Sequence, residues 1–163
     1  MQIRCGTFNL YQFSKPPMAW YNPGSVYSSE AWESKKKWIK DQLLNMNCDV
    51  IGFQEVFSVD ALRELIKEAG FTYFSTVEMP TTDPANNTVY TSPVVAIGSK
   101  YPITSVDPVI VPPFTRDDLP ITHDFKLLCI LTWLEIATKI PHELLLLTYD
   151  SLTYSILANP LYR

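Results

Sequence analysis

An asparagine and a glutamate, each closing a short apolar run, are the residues of this chain best suited to chemistry. Asn9 ends Thr7-Phe8-Asn9 close to the N-terminus, and Glu55 ends the run Val50-Ile51-Gly52-Phe53-Gln54-Glu55. A carboxylate at the end of a buried strand is costly unless its desolvation is offset, and a bound divalent cation offsets it. Hard ions such as magnesium take oxygen ligands and often use only one or two carboxylates plus substrate phosphate. An asparagine amide can donate to a phosphate oxygen or orient an attacking water. Both residues also have a plain structural reading. Asparagine at a strand end forms turns, and Glu55 is placed to cap a helix starting near Ser58 by accepting backbone N–H bonds.

The elements that must position these two residues are legible in outline. Gln2–Asn9 reads as a strand, with Ile3, Cys5 and Thr7 on one face and Arg4, Gly6 and Phe8 on the other. Leu10–Tyr27 reads as a long loop holding Pro16, Pro17, Pro23 and Gly24 together with Trp20, Tyr21 and Tyr27. Loops this long are often functional, and the alternative is that the aromatics pin it to the body. Ser28 or Ser29 caps a helix over about 30–46, in which Trp32, Ile39, Leu43 and Met46 recur at helical spacing. Asp49–Glu55 is a short buried strand. Ser58 caps a second helix with an apolar stripe of Leu62, Leu65, Ile66 and Ala69, and Gly70 stops it. Phe71–Val77 reads as a strand, Met79–Thr91 as a polar loop, and Pro93–Ser99 and Ile103–Val111 as two more strands. Pro108 makes the last of these an edge or a broken strand. Strand, helix, strand, helix and a run of strands predict an α/β layered domain. Two parallel strands joined by a helical crossover bring Asn9 and Glu55 to one end of a sheet, where ligands of open α/β folds bind.

Composition narrows the function classes. The chain has 163 residues, 47% apolar and 18% charged, which suits a globular domain with its own core. A net charge of −4 leaves no basic footprint for nucleic acid. The cationic cluster Lys35-Lys36-Lys37 points in three directions on a helix and reads as solvated surface. Cys5, Cys48 and Cys129 are scattered and odd in number, without metal-ligand spacing, which favours a reduced, cytoplasmic location over a disulfide framework. Phe125–Ile140, interrupted by Lys126, Glu135 and Lys139 and ended by Pro141, is too short and too charged to span a bilayer.

Thr7-Phe8-Asn9, Gln54-Glu55-Val56 and the strand Ser92–Ile103 recur in order and spacing that resemble the endonuclease/exonuclease/phosphatase superfamily. The resemblance covers about residues 1–116, with 117–163 a divergent or scrambled tail. It implies a four-layer α/β/β/α sandwich, here partial, with the second half mostly missing. It implies a magnesium-dependent hydrolase of phosphodiester or phosphomonoester bonds, with manganese as a substitute ion. By the same resemblance Asn9 and Glu55 are catalytic-site residues. Glu55 holds the metal, and Asn9 helps to fix the metal site and the scissile phosphate. The acidic composition leans away from DNA and towards a small phosphate ester or lipid headgroup, with the substrate left open.

The later motifs of that superfamily, a strand ending in Thr-His, a Gly-Asp-Phe-Asn and a terminal Ser-Asp-His, are not intact. No Gly-Asp pair occurs, Tyr149 stands where the first histidine belongs, and Thr122-His123-Asp124 and His142 read as turn residues. Glycine is absent after Gly98. These features suggest a truncated member with a scrambled remnant of the second half, and a divergent short variant stays open beside it. Phe125–Ile136 and Glu143–Tyr149 are apolar runs that suit strands or a buried helix alike. Two function classes follow: part of a metal-dependent phosphoesterase, or a non-catalytic fragment or interaction module. A sheet lacking most of its partner layer further predicts marginal stability and self-association.

Overall fold

The computed structural model describes residues 3–109, 128–135 and 141–148. Strand β1 (Cys5–Phe13) and β3 (Val50–Val56) run parallel, joined through β2 (Ala19–Trp20) and helix α1 (Ser29–Met46). Helix α2 (Val59–Glu68) follows, then β4 (Tyr73–Thr76), the hairpin β5 (Thr81–Asp83) and β6 (Asn86–Ser92), β7 (Val94–Ser99) and β8 (Ile103–Val109). Two further strands, β9 (Leu128–Glu135) and β10 (Pro141–Thr148), pair antiparallel with each other, and β9 pairs with β8. The sheets are β1-β3-β7-β4, β10-β9-β8 and β2-β6-β5. The architecture is α/β with mixed sheets.

Both helices cover one face of the four-stranded sheet. Trp32, Ile39 and Leu43 of α1 and Leu62, Leu65 and Ile66 of α2 are buried in one cluster with Ile51 and Phe53 of β3 and Ala96 of β7. The opposite face carries Val50 and Ile97, and Ile103 and Val106 of β8 pack there. Strand β3 is therefore apolar on both sides and buried along most of its length, as expected of a central strand between two layers.

The helix ends follow local chemistry. Ser28 Oγ accepts the Ala31 N–H at 3.1 Å, and Asn47, at φ 47°, ends α1. Gly70, at φ 93°, follows α2 in a conformation that favours glycine. Ser58 holds the N-cap position of α2 but does not cap it through its side chain. Its hydroxyl instead accepts the Lys15 N–H at 2.8 Å, so the predicted cap is spent on tying the chain after β1 to the start of α2.

Three further expectations change, and one left open is decided. The predicted loop after Asn9 begins as strand: β1 continues to Phe13 because Leu10 and Phe13 turn into the core. The predicted loop Met79–Thr91 contains the β5–β6 hairpin, whose polar sequence reflects one mostly solvated surface with Val89 alone fully inserted. The tail runs, left open between strand and helix, are strand over their described residues Leu128–Glu135 and Glu143–Thr148, with β9 pairing the edge of β8. His142 lies within β10 opposite Leu134 rather than in a turn. Pro108 does sit on an edge strand, since β8 ends its sheet. Thr122-His123-Asp124 and Tyr149 lie outside the described residues.

Gly98 of β7 marks a close contact between the sheet and α2. A Cβ there would stand 2.8 Å from Ile66 Cδ1 and 3.2 Å from Phe53 Cε2. Gly98→Ala is expected to destabilise the domain by about 1–3 kcal/mol through overpacking. The check is the urea midpoint, which should fall at unchanged m-value.

Candidate functional site

Parallel pairing of β1 with β3 sets Asn9 opposite Gln54, and the next paired residues are Phe13 and Val56. Leu10, Tyr11 and Gln12 thus stand against Glu55 alone, and the β3–β7 register also shifts between Phe53 and Val56. This bulge re-aims the strand ends. Tyr11, Gln12 and Glu55 adopt φ of 49°, 60° and 57°, a left-handed conformation that costs a side-chain-bearing residue free energy and clusters at functional sites.

Hydrogen bonds hold the bulge. Asn9 Nδ2 donates to Glu55 Oε1 at 3.0 Å, and the Gln12 N–H donates to Glu55 Oε2 at 2.8 Å. Asn9 Oδ1 accepts the Tyr11 N–H at 2.7 Å. Asn9 is therefore both the turn former that its type suggests and a partner of Glu55. Glu55 does not cap α2; its carboxylate faces β1. It is half-buried, and Asn9 is exposed. Next to it, Gln54 Nε2 donates to Thr7 Oγ1, while the buried Gln54 Oε1 has no partner among the described residues.

The predicted pair thus comes together at one end of adjacent strands. The structure adds a residue that the sequence reading assigned to solvent. Lys35 Nζ donates to Tyr11 O at 2.8 Å and lies 5.0 Å and 5.7 Å from the ring centres of Tyr27 and Tyr11. The Tyr27 hydroxyl donates to the same carbonyl at 3.3 Å. The Tyr11–Gln12 peptide group consequently bridges Lys35, on its carbonyl, and Glu55, on its N–H. Burial pushes the Lys35 ammonium below the usual lysine range, and the negative charge of Glu55 partly offsets this. Burial, Tyr11 and Glu55 together push the Tyr27 phenol up. A signal for Lys35 existed in the helix period: it follows Trp32 by three residues and precedes Ile39 by four, on the buried stripe. Lys37 is exposed, as the solvated reading has it, whereas Lys36 is half-buried, paired with Glu33 and placed over the Trp32 ring.

The aromatic loop packs beside this end of the sheet. Tyr27 stacks on Trp20 at 4.6 Å, and Tyr21 meets Phe57 edge-on at 5.4 Å. The β6 hairpin strand fixes it, with Tyr90 against Phe57 and Tyr90 O accepting the Tyr21 N–H at 2.7 Å. These contacts pin the loop to the body, one of its two readings, and Tyr11 and Tyr21 remain exposed.

Among the described residues no cluster of three or more His, Cys, Asp or Glu side chains is suited to a metal. A groove of about 360 Å³ lies elsewhere, between α1 and α2, lined in part by Trp32, Lys36, Lys40, Leu65 and Glu68. Two of its lysines are paired within it, Lys40 with Glu68 at 2.7 Å and Lys36 with Glu33 at 2.8 Å. Among the described residues no helix is long and apolar enough to cross a membrane. The chain matches no protein-family model and no curated protein.

Proposed function

We propose that Asn9 and Glu55 form the metal-binding half of a magnesium-dependent phosphoesterase site of the endonuclease/exonuclease/phosphatase kind, on a partial four-layer sandwich. The observation that supports this reading most is the Glu55 carboxylate itself. It stands at the end of a buried central strand, half-exposed, oriented by Asn9 and Gln12 rather than used as a helix cap.

The donors suit a hard cation. Each Glu55 oxygen accepts one N–H bond and retains a further lone pair. A single carboxylate fits magnesium, which keeps several waters and takes substrate phosphate oxygens to complete its shell. When bound, the ion would polarise a phosphoryl oxygen and stabilise the charge that develops on it. Asn9 positions the carboxylate through its amide and fixes the bulge through its carbonyl.

Water activation in that superfamily falls to an aspartate and a histidine whose motifs this sequence does not carry. Residues of such a constellation act as a unit, so a metal half-site alone gives little rate acceleration. The expected result is magnesium binding without turnover: bis(p-nitrophenyl) phosphate is not hydrolysed above background with or without magnesium. Calorimetric magnesium titration of wild type and Glu55→Gln tests the reading; equal affinity in the two would sink it. Sedimentation velocity on the same samples tests the proposed self-association, for which a monomer at all concentrations is the contrary result.

A further inference from the structure

We infer that Lys35 is the anion-binding residue of the Asn9–Glu55 site and takes a phosphoryl oxygen of the substrate; this rests on the phosphoesterase reading above. Three observations carry it. Lys35 is half-buried and makes no ion pair among the described residues, whereas the other half-buried lysines, Lys36 and Lys40, each have a carboxylate partner, and the other unpaired cations, Arg4, Lys15, Lys37 and Lys67, are exposed. Its ammonium spends one donor on Tyr11 O and has two left. Finally, the Tyr11–Gln12 peptide keeps it one peptide unit from Glu55, so cation and carboxylate are linked without collapsing onto each other.

That separation matters physically. A direct Lys–Glu pair would neutralise the carboxylate and compete with a divalent ion for it. Here the peptide dipole lies between the two charges, donating to the anion and accepting from the cation, which strengthens both hydrogen bonds. The ring faces of Tyr11 and Tyr27 flank the ammonium on part of its surface. A half-desolvated ammonium with spare donors gains more from an incoming anion than a solvated one does. A group with several anionic oxygens, such as a phosphoryl group, can offer one oxygen to Lys35 and another to a cation held by Glu55. A monoanion with a single oxygen cannot.

The test uses the full chain, inorganic phosphate as the probe, and the variants Lys35→Met, Lys35→Arg and Glu55→Gln. Calorimetry follows magnesium alone, phosphate alone, and phosphate at saturating magnesium. Lys35→Met should weaken phosphate binding about tenfold or more, the effect of one charge-assisted hydrogen bond. Lys35→Arg, which keeps charge and donors, should stay within about threefold of wild type. Magnesium affinity without phosphate should be unchanged or higher in Lys35→Met, since a repelling charge is removed. If wild type binds no phosphate, or Lys35→Met binds it as wild type does, the inference is overturned. A parallel loss of magnesium and phosphate binding in Lys35→Met would also overturn it, by showing that Lys35 only tethers the bulge. If magnesium binds equally to wild type and Glu55→Gln, the phosphoesterase reading fails separately, and the metal-free phosphate titration still decides Lys35.

Discussion

Glu55→Gln is expected to weaken magnesium binding by about 100-fold or more, because loss of an outer-shell partner alone typically costs about 10–100-fold and Glu55 would be the ligand itself. The substitution keeps the shape of the side chain and removes its charge, so hard-cation affinity falls without a cavity being opened. It also disturbs the bulge. Glu55 accepts two N–H donors, from Asn9 Nδ2 and Gln12 N, one on each oxygen. Glutamine offers one oxygen and one amide, so one of these donors must face another donor. The unmade hydrogen bond should cost about 1 kcal/mol at this half-exposed position. Asn9→Ala separates the two effects. It leaves the carboxylate in place and removes its positioning partner, so magnesium affinity should drop only about tenfold. Calorimetric titration measures the affinities, and urea denaturation measures the stability change. Magnesium affinity in Glu55→Gln within a few-fold of wild type would place the ion elsewhere.

Phe53→Ala should cost about 3–5 kcal/mol, a large share of the roughly 5–15 kcal/mol total of an ordinary domain and enough to abolish a cooperative melt at the lower end of that range. Phe53 is fully buried in the central strand, between paired β1 and β7. Its ring lies beside Gly98, which also faces Ile66 of α2. Neighbours with no spare side-chain volume cannot collapse into the hole, so the cavity term stays large. Leu44→Ala, at an exposed position of α1, is the control and should change stability by no more than about 0.5 kcal/mol. Thermal melts followed by far-ultraviolet circular dichroism give the comparison. A Phe53→Ala variant that melts cooperatively near wild type would mean that the helix-side cluster is not the main source of stability.

Local sequence determined the helices, and the order of elements along the chain determined the site pair. The stripe Trp32–Ile39–Leu43 and the stripe Leu62–Leu65–Ile66 have helical period, and Ser28, Asn47 and Gly70 are residue types that start or stop helices. The helical crossover between two apolar runs was enough to place Asn9 beside Glu55 at one sheet end. Tertiary structure decided the rest, since each remaining feature depends on a partner distant in sequence. The bulge at Leu10–Gln12 exists because β1 must keep pairing with β3 on both sides of Glu55, which no pattern within β1 encodes. Ser58 leaves its capping role because Lys15, arriving from the end of β1, supplies a competing donor. The tail runs become strands because β8 has an edge to pair, while their own apolar sequence suits a helix equally well. Lys35 acquires its place from Tyr11 and Tyr27, which fold over α1 from both ends of the aromatic loop. A side chain's solvation depends on what packs over it, and that is settled only when the chain closes.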